Sequence, residues 1–525
     1  MPSASPRHPF LALAAICLAA LMFGLEISSV PVILPVLEAR LHADFQDLQW
    51  IMNAYTIACT TVLMATGILA DRYGRRRVFA LTVLAFGLAS LLCGLAPSTP
   101  VLIGARFLQG MAGGAMFICS IAILSHQFPD GAVRGRAFAV WGVVAGIGLG
   151  FGPVVGGAIV SLASWHWVFL VHAPLALLGL ALIAAGVAES SDPEARLQKL
   201  DLAGIVTQTI AVLGLTLLIT QGAGLGWTSP TALGLLAATA LSLAAFVRIE
   251  RSQPNPMFDF SVFRVRDFSG AILGCVGMNC SYWPFMIYLP LYFSAGLGYD
   301  TTAAGLMLLV YTVPFLVMPP IAQWLLLRYQ ARFVIPAGLF LIGLGFLLMK
   351  LGSGFAHLGG WTVLPGALTA GIGLGLTTTP ATNMTTASVP ASRAGMASGM
   401  DVSARLITLA INIAVMGLVL VAGIQAGLRA TLGSALDATQ LRTLAEQLAG
   451  GDVAGARQAL AALAIPDAAG AAVQAAVTHG FGWTMLYGGL GAWLTAALSL
   501  AVFRRRQSRT AAKPRTPSPR PRSTN

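Results

Sequence analysis

The stretch Gly67-Ile-Leu-Ala-Asp-Arg-Tyr-Gly-Arg-Arg-Arg-Val-Phe79 sets one acid and four arginines between two long apolar runs. It reads as a tight loop at a membrane surface. Gly74 can take backbone angles closed to other residues and lets the chain reverse, while Arg72, Arg75, Arg76 and Arg77 cannot enter hydrocarbon cheaply and so mark a cytoplasmic face. Plain topology with a turn accounts for the arginines. It does not account for the register of Gly67, Asp71 and Gly74. A carboxylate among four arginines can bridge the ends of two neighbouring helices or cap the positive N-terminus of a third. Either bond has to break when the helices move, which makes the loop a candidate latch.

Working outward, 57% of the 525 residues are hydrophobic and only 10% are charged, with a mean hydropathy of +0.79; soluble domains carry roughly a quarter charged residues. The lipid bilayer is therefore the expected solvent, and continuous apolar runs of about 20 residues are read as helices, which satisfy their own backbone. Such runs fall near 10–36, 48–70, 77–96, 100–124, 137–162 and 167–187, then 202–222 and 229–249, then 268–295, 302–326, 333–352, 361–384, 402–425 and 480–503. The fold class is all-α integral membrane, with about fourteen spans and cytoplasmic termini. The domain reading is a six-helix bundle at 1–187, a linker with two extra spans at 188–267, a second six-helix bundle at 268–503, and a basic, disordered cytoplasmic tail at 504–525. The first apolar run continues past Glu26 without a small-residue cleavage site, so it is read as a span and not a signal peptide.

The net charge of +12 raises nucleic acid as a partner, and the placement of charge excludes it. Of 31 Lys and Arg residues, 24 lie on the inner side, five outside (Arg40, Lys350, Arg429, Arg442, Arg457) and two within spans (Arg106, Arg405), which is the positive-inside pattern. The six cysteines all fall in apolar stretches without metal or redox spacing and read as small core residues, so neither metal, cofactor nor disulfide is expected. No G-x-x-x-x-G-K-[ST] loop appears, which leaves an ion gradient as the energy source. A membrane enzyme or sensor finds no support, since the seven histidines are scattered and no nucleophile–base constellation is visible.

An internal repeat divides the chain as six, two and six. At an offset of 256, Leu69, Arg72, Tyr73, Arg76 and Val78 align with Leu325, Arg328, Tyr329, Arg332 and Val334, with Leu327 opposite Asp71 and Gln330 opposite Gly74. Repeated halves are what alternating-access transporters are commonly built from. The one long non-spanning segment, 426–479, is Ala-rich with a Gly450-Gly451 break, and is read as two short amphipathic helices on the outer side, either a spacer or a cap that a periplasmic adaptor could dock on.

Polar residues inside spans carry the functional reading. Glu26 lies deep in the first span, where a carboxylate is costly unless it is paired, protonated or facing water, so it is the candidate to carry protons or attract a cation. Arg106 needs a partner at depth, and both residues fall in the outer half of the bilayer. Asp401 and Arg405, one turn apart, form a local pair or meet the latch from the other half. Tyr282, Trp283 and Met286 are candidates to line an apolar cavity for lipophilic cations, or to pack against lipid.

The order G-x-L-A-D-R-x-G-R-R-R resembles the signature loop of the major facilitator superfamily, in which the acid and the first arginine, here Asp71 and Arg72, gate the cytoplasmic side. The run from Arg106 through Gln109, Gly110 and Gly113 resembles that family's second motif, in which the arginine serves proton coupling. Gly148-x-x-x-Gly152-Pro153-x-x-Gly156-Gly157 is similar to the motif of drug:proton antiporters. The segments Gln49–Tyr55, Ser164–Pro174 and Ser398–Arg405 extend the likeness to the fourteen-span drug:H+ antiporter-2 family. The chain departs from that family in having Glu26 for the usual Asp, His166 and His172 for Arg and Asn, and Thr408 and Leu409 for glycines. The resemblance implies efflux of amphipathic, cationic small molecules in exchange for protons across the cell membrane, with Glu26, Arg106 and Arg405 as coupling or substrate residues. Gly67, Asp71, Arg72, Gly74, Arg75, Arg76 and Asp401 would form the gate.

Overall fold

The computed structural model describes residues 8–504 apart from 42, 44, 130, 192–200, 227, 254–257, 281–287, 300, 356–358, 433–435 and 463–465. Tyr282, Trp283 and Met286, and nearly all of the 504–525 tail, thus lie outside the described residues. Every described regular element is helical: α1 (Pro9–Leu41), α2 (Phe45–Tyr73), α3 (Arg75–Gly94), α4 (Thr99–Gln127), α5 (Gly131–Leu162), α6 (His166–Leu170), α7 (His172–Gly186), α8 (Leu202–Leu225), α9 (Pro230–Ser252), α10 (Arg266–Asn279), α11 (Thr301–Tyr329), α12 (Ala331–Ser353), α13 (Leu364–Ala387), α14 (Ala394–Leu432), α15 (Ala438–Ala449), α16 (Val453–Ala462) and α17 (Pro466–Arg504).

Among the described residues, twelve helical stretches are long and apolar enough to cross a membrane, α6 and α7 together making one of them. Two of the fourteen predicted runs are not in that set. At 268–295, α10 stops at Asn279, residues 281–287 lie outside the described ones, and helix continues only over 288–296, too short a stretch to cross by itself. At 361–384, α13 has 24 residues but carries Thr377, Thr378, Thr379, Thr382, Asn383, Thr385 and Thr386 in its second half. All but Thr378 of these are buried, so α13 keeps its polar side chains away from lipid by packing inside the bundle. The architecture is an all-α membrane bundle of about fourteen helices.

Lipid tails are as apolar as leucine, so close backbone approach, not a gain in hydrophobic burial, holds such helices together. α1 packs on α5, α7 and α4, while α2 and α3 pack on α4. In the second half of the chain, α12 packs on α13 and α17, α14 on α17, and α11 on α13. Contacts between these groups run through α5 with α11 and through α2 and α4 with α14. The inserted pair α8/α9 lies against α2, where Thr60 and Thr216 hydroxyls are 3.5 Å apart and Thr209 donates to Thr61 O at 3.4 Å.

The chain beyond α9 folds onto the other side of the seam. Phe258 meets Phe246 edge-on and Phe260 lies tilted to both, and Asp259 pairs with Arg393 at 2.9 Å just before α14. Partial burial works against the charge, but Ser261 and Arg393 hold the Asp259 carboxyl below its ordinary range. The pair therefore stabilises above that range and is lost only in acid; being partly exposed, it contributes about 1 kcal/mol or less.

The segment between α14 and α17 forms α15 and α16. A capping box of Asp437 and Gln440 starts α15, whose Leu441, Leu444, Ala445 and Leu448 are buried in the core of the second half while Arg442 and Glu446 pair on the outer face at 2.8 Å. It lies as a cap on that half.

The two repeated loops are built alike at the backbone. Gly74 takes φ +112 and ψ 122, and Gln330, opposite it in the repeat, takes φ +65 and ψ 156. Gln330 is the one non-glycine residue with positive φ among the described residues. That region is almost closed to residues with a Cβ and costs about 1–3 kcal/mol. Gln330→Gly is expected to raise the unfolding temperature of the purified protein by about 1–4 °C. A lowered temperature would show that contacts of the glutamine outweigh the strain.

Candidate functional site

Glu26, Arg106 and His172 meet where α1, α4 and the start of α7 converge, and their side chains are at most 1% exposed. Arg106 Nη1 donates to Glu26 Oε1 and to Gln109 Oε1 (2.8 Å), and Arg106 Nε donates to Ile51 O at 3.1 Å. Gln109 Nε2 in turn donates to Ser90 Oγ at 2.8 Å, and the Cys93 thiol lies 3.4 Å from Gln109 Oε1. The guanidinium also lies over the Tyr55 ring at 4.5 Å. Glu26 Oε2 has His172 Nδ1 at 3.4 Å but accepts no hydrogen bond. One carboxylate oxygen thus bonds to Arg106 while the other accepts no hydrogen bond, in a place sealed from solvent.

Sequence reasoning put Glu26 and Arg106 in the same half of the bilayer but left Gln109, Ser90, Cys93 and His172 out of the cluster. The signal for Gln109 was present: one turn after Arg106, it lies on the same helix face.

The second buried pair lies across the seam. Asp401 is fully buried, and Arg405 meets it at 3.3 Å as the local i,i+4 pair. Cys275 Sγ on α10 donates to Asp401 Oδ1 at 2.8 Å, and Thr382 on α13 donates to Oδ2 at 3.2 Å. This cluster makes no contact with Asp71. The alternative reading, in which Asp401 faces the latch, gives way to the local pair because Asp401 points into α10 and α13. Cys275, read from the sequence as a core residue, is a ligand of the acid.

The latch stands elsewhere. Asp71 sits in the last turn of α2, 6% exposed, and accepts from the Gly395 and Met396 amides at 3.2 Å each, capping the N-terminus of α14. Arg75, at the start of α3, pairs with Asp71 at 2.7 Å and reaches across to Ala391 O (2.7 Å) and Ser392 O (2.9 Å). Arg75 is thus an arginine of the clasp, and Arg72 lies over the Tyr73 ring at 5.5 Å. Gly67 is needed because α2 and α14 cross there backbone to backbone, and a Cβ on it would strike Gly395 O. Gly74 is needed for its positive φ and because Glu189 fills the space its Cβ would take. Glu189, which the sequence did not mark, accepts from the Arg76 amide at 3.2 Å and lies 3.5 Å from Arg77, while Arg76 Nη2 donates to Ala184 O.

A further tie joins the halves without any acid. Arg134 of α5, 9% exposed, donates to Asn383 Oδ1 (2.5 Å), Thr386 Oγ1 (2.7 Å) and Ser125 O (2.9 Å), and Asn383 donates on to Gln323 of α11 at 2.9 Å.

The glycines of α5 separate into two stripes. A Cβ on Gly148 would lie 2.8 Å from Leu21 O and one on Gly156 2.9 Å from Ser29 Cβ, with Gly152 against Ser28, so this stripe seats α5 on α1. On the other face a Cβ on Gly142 would lie 2.5 Å from Thr379 and one on Gly146 2.9 Å from Leu316, with Gly150 against Thr312. That stripe faces α11 and α13 of the opposite half. Gly157 is less crowded, its nearest atom being Val32 at 4.0 Å, and Pro153 lies on the exposed face.

Residues 16–412 match the Major Facilitator Superfamily. The chain belongs to that superfamily. Among curated relatives, the multidrug resistance protein Stp of Mycobacterium tuberculosis (strain CDC 1551 / Oshkosh) is 34% identical over 84% of this chain and 81% of its own length. The puromycin resistance protein pur8 of Streptomyces alboniger is 31% identical over 78% and 81%. The multidrug efflux pump LfrA of Mycolicibacterium smegmatis (strain ATCC 700084 / mc(2)155) is 28% identical over 80% and 82%. Two solved structures share the fold at 14% identity and a TM-score of 0.57: the proton:xylose symporter XylE, over 94% of this chain and 95% of that one, and the human organic anion transporter MFSD10, over 94% and 100%. Membership in the superfamily makes the protein a multi-pass transporter of the cell membrane, not an enzyme.

Proposed function

We propose that this transporter exports amphipathic, cationic-bodied small molecules from the cytoplasm in exchange for protons, by rocking of two six-helix halves. The observation that carries the reading is Glu26, a sealed carboxylate with one oxygen on Arg106 and the other without a hydrogen bond. A proton arriving at that free oxygen neutralises the charge that holds Arg106 to α1, and loosens the contact of α1 with α4. The Asp71–Arg75 clasp and the Arg134 tie close the cytoplasmic ends in the present arrangement, so the inward-facing state requires both to part. The second glycine stripe of α5 supplies a smooth surface on which the halves slide. The names of the relatives, several of them resistance and efflux proteins, support drug-like cargo and the outward direction. The α15/α16 cap, on the outer side, is the surface on which an adaptor would dock.

The test is proton movement in everted vesicles that have been acidified inside by respiration. Addition of a cargo dye such as ethidium is expected to alkalinise the lumen in vesicles carrying the protein. Dye accumulation without any change in luminal pH would overturn proton exchange while leaving transport standing.

A further inference from the structure

Two histidines of the chain are bonded as packed histidines usually are: His479 Nδ1 lies 2.9 Å from Gly423 O, and His166 Nδ1 lies 3.2 Å from Ser164 Oγ. His172 is not. Its side chain is 1% exposed, yet neither ring nitrogen makes a hydrogen bond. Nδ1 instead stands 3.4 Å from Glu26 Oε2, which also accepts none, so two unsatisfied atoms face each other inside the bundle. Phe86 meets the ring edge-on at 5.5 Å and supplies no polar partner. Leaving buried polar atoms unbonded is costly, and packing alone does not require it. Both residues are also places where the chain departs from the drug:H+ antiporter-2 pattern, with Glu26 for Asp and His172 for Asn. The two departures meet at a single contact.

Resting on the proton-exchange reading above, we propose that His172 passes the proton to and from Glu26, so that imidazole and carboxylate work as one proton-exchanging pair. In uptake, Nε2 takes a proton from water, the Nδ1–H bond breaks as the Oε2–H bond forms, and the ring is left neutral with its hydrogen on Nε2. Release by the same route reverses both transfers. The other titratable groups of the junction are committed or turned elsewhere. Arg106 of α4 keeps its protons. On α2, the Tyr55 hydroxyl and the Cys59 thiol lie against Gly113 and Gly114, 2.6 and 2.7 Å from where a Cβ on each would stand. The Cys93 thiol of α3 faces Gln109 Oε1, and His166 of α6 is held by Ser164. While the proton rests on the ring, the tie of Glu26 Oε1 to Arg106 keeps its full charge. Only transfer to Oε2 weakens it, so the Nδ1–Oε2 step is where proton movement reaches the contact of α1 with α4.

The test follows ethidium-driven proton movement in everted vesicles across about pH 5 to 8, the range in which imidazoles change charge. His172→Asn, which keeps a polar side chain, is expected to slow exchange about tenfold or more and to change the shape of the pH profile, while ethidium binding to the purified full-length protein stays at the wild-type level. Glu26→Asp keeps the charge but draws the carboxyl back by one methylene, and is expected to show the same loss. Glu26→Asp/His172→Asn is expected to be no slower than either single variant, because both changes cut one transfer. A wild-type rate and pH profile in His172→Asn, or single losses that multiply in the double variant, overturn the assignment. Loss of ethidium binding together with exchange in His172→Asn, the mark of a merely structural histidine, overturns it as well. If the wild type itself moves ethidium without protons, the exchange reading fails and this inference falls with it; if the wild type exchanges and His172→Asn does so equally, this inference alone fails.

Discussion

In everted vesicles, Glu26→Gln is expected to abolish cargo-driven alkalinisation of the lumen while the protein still inserts and binds cargo. Glutamine keeps an oxygen for Arg106 Nη1, so the helix contact survives, but the group no longer takes up and releases a proton. Glu26→Ala is expected to do more. It leaves the Arg106 guanidinium, 1% exposed, with only Gln109 and the Ile51 carbonyl, and should lower stability by about 3–5 kcal/mol. Adding Arg106→Gln to Glu26→Ala should restore most of that stability without restoring exchange. Thermal unfolding and luminal pH separate the two effects. Full cargo-driven proton movement by Glu26→Gln would remove Glu26 from the coupling mechanism.

The second large effect is expected at the clasp. Asp71→Asn deletes the charge that holds the Gly395 and Met396 amides and strands Arg75, which is 1% exposed, with two carbonyls. Breaking a buried pair in this way costs about 3–5 kcal/mol, and moving a two-state equilibrium from 1:99 to 99:1 takes about 5.5 kcal/mol. Starting from a closed side at about 1:99, for which parity takes about half of that figure, the variant should pass parity toward the open state without reaching full inversion. The Arg134 tie remains, which is why inversion is not complete, and Asp71→Asn/Arg134→Met should go further. A cysteine in place of Ser398, 0% exposed beside the clasp, reports the change by maleimide labelling from the cytoplasmic side. Labelling no faster in Asp71→Asn than in the parent would show that the clasp does not hold the closed state. Gly395→Val should have a similar outcome by a steric route, since its Cβ would lie 2.6 Å from Asp71 Oδ1 and strike Gly67 O.

Much of this was legible in the sequence, because the bilayer imposes length and apolarity on each span and the positive-inside pattern orients the loops. The run at 361–384 shows where apolarity falls short as a signal: α13 is buried by its neighbours and tolerates threonines that no lipid-facing helix would carry. The buried charges and several of their pairings were visible, while the polar groups gathered around them from distant parts of the chain were not. Glu189 is 113 residues from Arg76 and Cys275 is 126 from Asp401, so only packing brings them together. Cysteine in an apolar stretch gives no sign that its thiol will face an acid. Residues two apart point to opposite sides of a helix, so the repeat of Gly142, Gly146 and Gly150 beside Gly148, Gly152 and Gly156 contained both stripes of α5.

The inserted helices give the molecule a strap. Their threonines are fastened to α2, and the phenylalanine-rich foot with Asp259 is fastened just ahead of α14, on the far side of the clasp. When α2 swings away from α14, the strap spans the widening gap. The length of that connection then bounds how far α2 and α14 can part.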